Sequence, residues 1–483
     1  VEPSPESSDT VEEESTPALE GADAVVEMMN SLNEAIEKDA AAESAGEPLL
    51  LDARKAVDLA LSQNAQVFVA EDDVEAARAR IGQARSQRFP QIKVSSTQTH
   101  TELQKRDTGM LFGELFTSLI GIGDLLETPE DFRTDRLTMT QVIYAGGQIK
   151  AATEASKYLA ESQEYQRQAT LSQVEYNAKE AYYTAAASMA LVRVAESSVS
   201  TFERQLSDAK EMFEVGMTSN FEVLRADTEL GSRNSTLVQA RNGQRLALAN
   251  LCRAIGVPQN TPLQLETKLD FLPFMQDLDA LIAHADEHRP ELLGLRKAID
   301  AGEQDVKRVR GQYKPSVGGN VQWQNVDNGG AAQPDGWTFS VSGQWDITTG
   351  GRRKYETLES KARLSSLEHQ LQDLHAIVEL DVKAAQIQIQ DAMARVASER
   401  GTRTLAREGL RLAELRFQEG AGTQSEVLDA ELALTSADTA LVQALRDFAV
   451  ANSSLERAIG KSWVRDTETS TGEQPIAPPP QSK

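Results

Sequence analysis

The sequence predicts a mainly α-helical protein with a small β part, built twice from one unit: two strands, a very long helix, a tight turn and a second helix. Three observations carry this. The stretch FEVGMTSNFEVLRA at 213–226 returns as FQEGAGTQSEVLDA at 417–430, with Gly216 and Gly420, Val223 and Val427, and Leu224 and Leu428 all 204 residues apart. Each copy interrupts a long helical pattern and then restarts it. Each is also preceded, at the same place, by two segments of alternating polarity. So many matches at one offset without gaps mark an internal duplication.

Composition narrows the class. With 483 residues the chain has room for two to four ordinary domains or one large unit. A net charge of −25 excludes a nucleic-acid binder, because a phosphate backbone needs a basic stripe. Residues 1–48 hold fourteen acids and the single base Lys38, a net of −13, which predicts a solvated, disordered arm. Within it Val25, Met29, Leu32 and Ile36 are spaced for one short amphipathic helix. The lone Cys252 lies in an apolar helical stretch. It excludes a disulfide framework within one chain and is expected to be a buried, inert thiol. The start, Val1-Glu2-Pro3, has neither the basic end nor the apolar core of a signal peptide, so the chain is expected to be cytoplasmic or already processed. It offers no cysteine at position 1 for lipidation. No run of 18 apolar residues predicts a transmembrane helix; the nearest, 110–126, is interrupted by Glu114 and Asp124.

The first unit, 49–258, opens with a helical pattern over 51–88 that breaks near Asn64. Val57, Leu61, Val67, Ala70, Val74, Ala77 and Ile81 recur at steps of three and four, and Phe89-Pro90 ends the pattern. A strand follows at 91–100, with Ile92 and Val94 on one face, then a long insertion, then a strand at 136–144 closed by Gly146-Gly147. From 148 to 215 no proline intervenes. Leu171, Val174, Ala178, Ala181, Ala185, Ser188, Val192, Ala195, Val199, Phe202, Leu206, Ala209 and Phe213 form a heptad seam rich in small residues. Such a helix is about 100 Å long at 1.5 Å per residue. The tip is placed at 215–221, and a second helix from 222 to 255 is stopped by Gly256-Val257-Pro258.

The second unit, 259–465, repeats the plan. Helices are expected at 277–288 and 290–313, Lys314-Pro315 answers Phe89-Pro90, and strands follow at 316–324 and 337–347. Gly350-Gly351 answers Gly146-Gly147. The second seam (His375, Val378, Val382, Ala385, Ile389, Ala392, Val396, Ala406, Leu410, Ala413, Phe417) is less clean, with Glu399 and Arg403 where apolar residues belong. The tip is placed at 419–425, and 466–483 with Pro478-Pro479-Pro480 reads as a disordered tail. The offset drops from 225 before the strands to 204 after them, which puts 21 extra residues in the first strand-to-strand loop.

Four strands cannot close into a barrel, and an open sheet leaves unpaired edges. Closure needs strands from several chains. The helix before each strand (67–88) and the helix after each tip (222–255) nearly add up to the long one, and stacked end to end they would run beside it.

With the duplication, the Pro90 and Pro315 strand entries, the corners TQVIYAGGQ and GQWDITTGG, and both tips, residues 51–465 resemble the TolC-like outer-membrane factors. The resemblance implies a homotrimer whose twelve strands form one outer-membrane β-barrel, continuous with a periplasmic α-helical barrel closed by the hairpin tips. It implies an exit duct in a tripartite efflux pump or a type I secretion system, sited in outer-membrane lipid with its signal peptide removed. Its partners would be a periplasmic adaptor and an inner-membrane pump of RND, ABC or MFS type, with no cofactor. By the same resemblance Glu426 and Asp429, with Glu222 in the first copy, line the periplasmic constriction, and three copies of each would favour cations. The other reading of these acids is that they favour the dipole at the start of a helix. Gly422 stands where relatives carry a basic gating residue. The tips Gly216, Met217, Thr218, Gly420, Ala421 and Gly422 would meet the adaptor, while the two leading glycines also end the long helices.

Other motifs read as structure. Gly146-Gly147 and Gly350-Gly351 fit no G-x-G-x-x-G phosphate loop. His284 and His288, at i, i+4 in HADEH, lack a third ligand and are expected to be solvated helix residues rather than a metal site. Trp323, Trp337 and Trp345 either anchor at a membrane interface or pack between strands. No nucleophile–base pairing or paired carboxylates suggest an enzyme. The rival from another class is a soluble coiled-coil scaffold without a transport role.

Overall fold

The computed structural model describes residues 49–100, 131–266, 277–327 and 335–460. The acidic arm with its short amphipathic helix, most of the first strand-to-strand loop and the C-terminal tail lie outside the described residues. The elements are β1 (Leu49–Leu51), α1 (Ala53–Gln63), α2 (Ala65–Ser86), β2 (Gln91–His100), β3 (Asp131–Ala145), α3 (Gln148–Glu214) and α4 (Asn220–Ile255). Then come β4 (Leu263–Leu265), α5 (Leu278–His288), α6 (Pro290–Gly311), β5 (Ser316–Asp327), β6 (Gly336–Gln344), α7 (Arg352–Gln418) and α8 (Gln424–Ala458). The duplication holds in helix length: 11 residues each for α1 and α5, 22 for α2 and α6, 67 for α3 and α7, and 36 against 35 for α4 and α8.

By spatial contact the chain divides across its repeats rather than between them. Among the described residues, one unit draws on 49–64, 177–266 and 396–449, the other on 65–100, 131–176, 277–327, 335–395 and 450–460. In the first, α3 buries Ala178, Tyr182, Ala185, Val192, Ala195, Val199, Phe202, Leu206 and Ala209. This is the expected seam with two changes: Ser188 is only half-buried, and Tyr182 takes the place given to Ala181, its hydroxyl donating to the Glu266 carbonyl at 2.7 Å. Phe213, the last seam position, is exposed, so the seam ends before the tip. Arg403, the misfit of the second seam, is instead ion-paired with Asp438 of α8.

The same unit overturns two expectations. Leu49–Leu51 is a strand, not the start of a helix, and it pairs in parallel with Leu263–Leu265. The described chain therefore has six strands rather than four. Three-residue strands are too short for a periodicity signal, and the pairing spans 214 residues, from Leu49 to Leu263, so nothing local announces it. Asp52 caps α1 through the Lys55 amide at 2.6 Å. Cys252 is buried as expected, which raises its thiol pKa.

Each stacking joint is built the same way. At the first, the Asn64 side-chain amide donates to the Ala254 carbonyl at 2.8 Å, and Gly256 lies where a Cβ would strike the Gln63 carbonyl at 2.6 Å. At the second, within the other unit, Arg289 occupies the place of Asn64 at offset 225. It donates to Ala458, the counterpart of Ala254 at offset 204, at 3.1 Å. A Cβ on Gly460 there would lie 2.9 Å from the His288 and Arg289 backbone. The helix after each tip thus ends on the helix pair before each strand, and a joint residue ties off one of its last carbonyls.

The main sheet runs β2-β3-β5-β6, all antiparallel. β3 and β5 are longer than the sequence predicted. β6 stops at Gln344, short of the expected 347, because the Arg353 guanidinium reaches back to the Asp346 carbonyl and carboxylate.

Candidate functional site

Two places could carry function, the sheet and the tips. In the sheet, cross-strand register puts Ile92, Met139, Val321 and Phe339 in one row and Val94, Leu137, Trp323 and Trp337 in the next. The opposite face carries Lys93, Thr138, Gln322 and Thr338, then Gln91, Thr140, Asn320 and Ser340. One face is thus apolar across all four strands and the other polar. The apolar face is open: Ile92 is 69%, Val94 77% and Phe339 74% exposed. Trp337 and Trp345 are exposed as well, and eight residues apart they mark about 26 Å along the chain. Trp323 is half-buried opposite Trp337. β2 and β6 each leave one edge without a partner among the described residues.

The helices around this sheet show the same incompleteness. At the first corner, a Cβ on Gly146 would meet the Gly311 carbonyl at 2.3 Å, so the start of α3 sits tight on the end of α6. Further along, the Ser162 hydroxyl donates to the Gly294 carbonyl at 2.8 Å, and a Cβ on Gly294 would lie 3.3 Å from that of Tyr165. The second corner has the same backbone, with Gly350 at φ 60° against 61° for Gly146, yet nothing stands within 4 Å of it.

The tips repeat a single backbone design. Gly216 has φ 74° and Gly420 φ 71°, where a side chain is strained. The Met217 amide donates to the Met212 carbonyl at 2.8 Å and Gly216 to Phe213 at 3.0 Å; Ala421 to Arg416 and Gly420 to Phe417 match them at 2.8 and 3.0 Å. These paired bonds close each long helix with a Schellman turn. Glu222 and Glu426 then lie in the first turn of the next helix, where a carboxylate favours the dipole. Thr423 Oγ1 accepts from the Glu426 amide at 3.3 Å. Glu426 also pairs with Arg416 at 3.4 Å, and Arg416 donates to the Ala421 carbonyl at 3.2 Å. Asp429 stands beyond the first turn, exposed and unpaired among the described residues. The helix-end reading thus fits Glu222 and Glu426 and not Asp429.

The structure explains Gly422. A Cβ there would lie 3.1 Å from the Arg416 Cβ and from the Phe417 amide nitrogen, so the turn packs against the helix it closes. It also joins the two tips, as Arg225 of α4 donates to the Ser425 hydroxyl of α8. Val215, Met217, Phe221 and Leu224 are exposed around the first tip and give it an apolar surface. Sequence reasoning missed Arg416 and Arg225, because a pairing across a turn has no local spacing rule.

Above the tips, Glu431 of α8 is 8% exposed. Burial raises its pKa, Glu414 adds to the rise and Arg204 opposes it. A raised carboxyl pKa means stability falls as pH climbs from the unfolded value through the folded one. Glu431→Gln should therefore raise the melting temperature at pH 7.5 and have little effect at pH 4, measured by thermal unfolding at both.

The two histidines at HADEH correct the expectation of solvated residues. Both are half-buried: His284 Nδ1 lies 3.2 Å from the Ile459 carbonyl, and the rings stack 4.1 Å apart. Their place at the second joint accounts for this. Among the described residues no cluster of three His, Cys, Asp or Glu could hold a metal. No described helix is long and apolar enough to cross a membrane.

The family model described as "Outer membrane efflux protein" matches residues 56–257 and 281–461. Outer membrane efflux protein BepC of Brucella suis is 25% identical over 343 residues, 68% of this chain and 73% of that protein. Outer membrane protein TolC of Escherichia coli is 20% identical over 408 residues, 80% of this chain and 78% of that protein. Among solved structures, the outer membrane protein VceC of Vibrio cholerae superposes with a TM-score of 0.67 at 17% identity, over 85% of this chain and 96% of that one. The open state of the MtrE outer membrane channel of Neisseria gonorrhoeae gives 0.67 at 16% identity, over 85% and 89%.

Proposed function

The chain belongs to the outer membrane efflux protein family, and we propose that it works as a homotrimeric exit duct of a tripartite efflux pump, carrying small toxic compounds out through the outer membrane. The observation that carries this reading is the four-stranded sheet, with one apolar face, one polar face and two unpaired edges. Three copies give twelve strands, an even number that closes without edges, lipid outside and water within. Trp337 and Trp345 then stand at the two interfaces of the lipid layer. A soluble scaffold, the rival reading, has no use for such a face.

The helices favour the same assembly. In the duplicated plan α7 stands to α2 of the next copy as α3 stands to α6 of its own, which would fill the empty space at Gly350. At the periplasmic end, Asp429 would form the acidic constriction, with Glu426 partly neutralised by Arg416 and Glu222 contributing less. The apolar residues around Gly216, Met217 and Thr218, with Gly420, Ala421 and Gly422, would receive the periplasmic adaptor that links the duct to an inner-membrane pump.

Conductance of the purified protein in a planar bilayer tests both parts. The wild type should form small cation-selective channels. Asp429→Asn should lower the cation-to-anion permeability ratio about twofold or more, and Glu426→Gln should lower it less. Selectivity indifferent to Asp429 would return that residue to an ordinary surface role. A well-folded preparation that forms no channels would overturn the duct.

A further inference from the structure

The polar face of the sheet carries charge of one sign. Register continues that face, past the row of Lys93, through Ser95, Arg136, Gln324 and Gly336. Lys93 and Arg136 therefore stand on it as diagonal neighbours of adjacent strands, about 7 Å apart at Cβ. Both side chains are exposed. The Arg136 guanidinium donates to the Gln324 side-chain carbonyl at 3.3 Å, and the Gln322 amide donates to the same oxygen at 3.0 Å, so Arg136 is held on this face. Neither cation has an ion pair among the described residues.

The acids of the strands lie elsewhere. Asp135 falls in the row of Ser96 and Asn325, and Asp327 in the row of Arg133, both on the opposite face. Asp135 is also taken by Arg133 at 3.1 Å. Asp346, the next carboxylate along from β6, lies beyond that strand and is held by Arg353. Among the described side chains the polar face thus has two cations and no acid. Like charges placed side by side in a sheet repel, and an anion lying between them turns that repulsion into attraction.

We propose that this face binds multivalent anions, solutes bearing several phosphate, sulfonate or carboxylate groups, through Lys93 and Arg136. The inference rests on the trimeric duct proposed above, in which the polar face turns to the lumen. Two cations per copy then make a girdle of six. A multivalent anion gains over a monovalent one because it spans more than one pair. The girdle and the acidic tips stand at opposite ends of one path with opposite sign, so anions gather in the barrel and cations at the tips.

The test is block of single-channel current in a planar bilayer by inorganic tripolyphosphate. Protein added to one chamber keeps its long helices there, because their charged surfaces do not cross lipid, and the barrel opens into the other chamber. In the wild type, tripolyphosphate on the barrel side should reduce the current, and on the tip side it should act about tenfold more weakly. Lys93→Gln/Arg136→Gln should raise the half-blocking concentration from the barrel side about tenfold or more. Lys93→Gln alone, expected to raise it about threefold, serves if the double variant misfolds. Open channels that tripolyphosphate does not block from the barrel side would overturn the girdle and leave the duct standing. So would block of equal strength in wild type and variant, or block from the tip side alone. A folded preparation that forms no channels would overturn the duct and the girdle with it.

Discussion

A chain carrying Val69→Cys and His369→Cys should run on non-reducing gels as a ladder ending at the trimer, with more than about half of the material cross-linked, while each single variant stays monomeric. The expectation comes from the duplication. Within one chain, a Cβ on Gly294 would lie 3.3 Å from that of Tyr165, which is close to the separation a disulfide needs. Val69 is the counterpart of Gly294 at offset 225 and His369 that of Tyr165 at offset 204. Both are exposed in the single chain, although their counterparts are in contact. If α7 packs on α2 of the next copy, the two cysteines meet across that interface. The native Cys252 is buried and does not compete. A monomer band alone, from protein that still forms channels, would show that the copies meet some other way.

Arg289→Ala should cost about 3 kcal/mol, because it leaves two carboxylates and a helix-end carbonyl without their cation. Arg289 is 6% exposed. It pairs with Glu291 at 3.2 Å and Asp381 at 3.3 Å, and it donates to the Ala458 carbonyl. Arg289→Lys keeps the charge but not the fork, so it should recover only part of the loss. Asn64→Ala at the twin joint removes one neutral hydrogen bond and should cost about 1 kcal/mol. Denaturant unfolding measures all three. Hydrogen exchange should rise at 284–290 and 455–460 for the Arg289 variants alone. Equal costs at the two joints would refute the view that the second is the one built on buried charge.

Both tips were legible because a Schellman turn needs glycine at one position, and Gly216 and Gly420 supply it at the same point of each unit. The sheet's two faces were legible from Ile92 and Val94, since a strand side chain alternates with period two. The seam of α3 was legible from Val174 to Ala209, because a heptad repeats over many turns. Arg403 looked like a flaw in the second seam, and the structure gives it Asp438 as a partner. His284 and His288 looked solvated, because their own helix gives no sign of the second joint packed against them. Asp429 and Glu426 looked alike in one motif, and only the turn, by bringing Arg416 round, separated them.

By itself the sequence determined the duplicated plan, the helices with their lengths, the four long strands and the tip glycines. All of these rest on periodicity, on punctuation by glycine and proline, or on repetition, which are local or recur at a fixed offset. Only the tertiary structure decided the β1–β4 pairing, the two joints held by Asn64 and Arg289 and the contact of Arg225 with Ser425. These depend on residues far apart in the chain whose meeting follows no spacing rule, because it is set by how packed helices bring their side chains together.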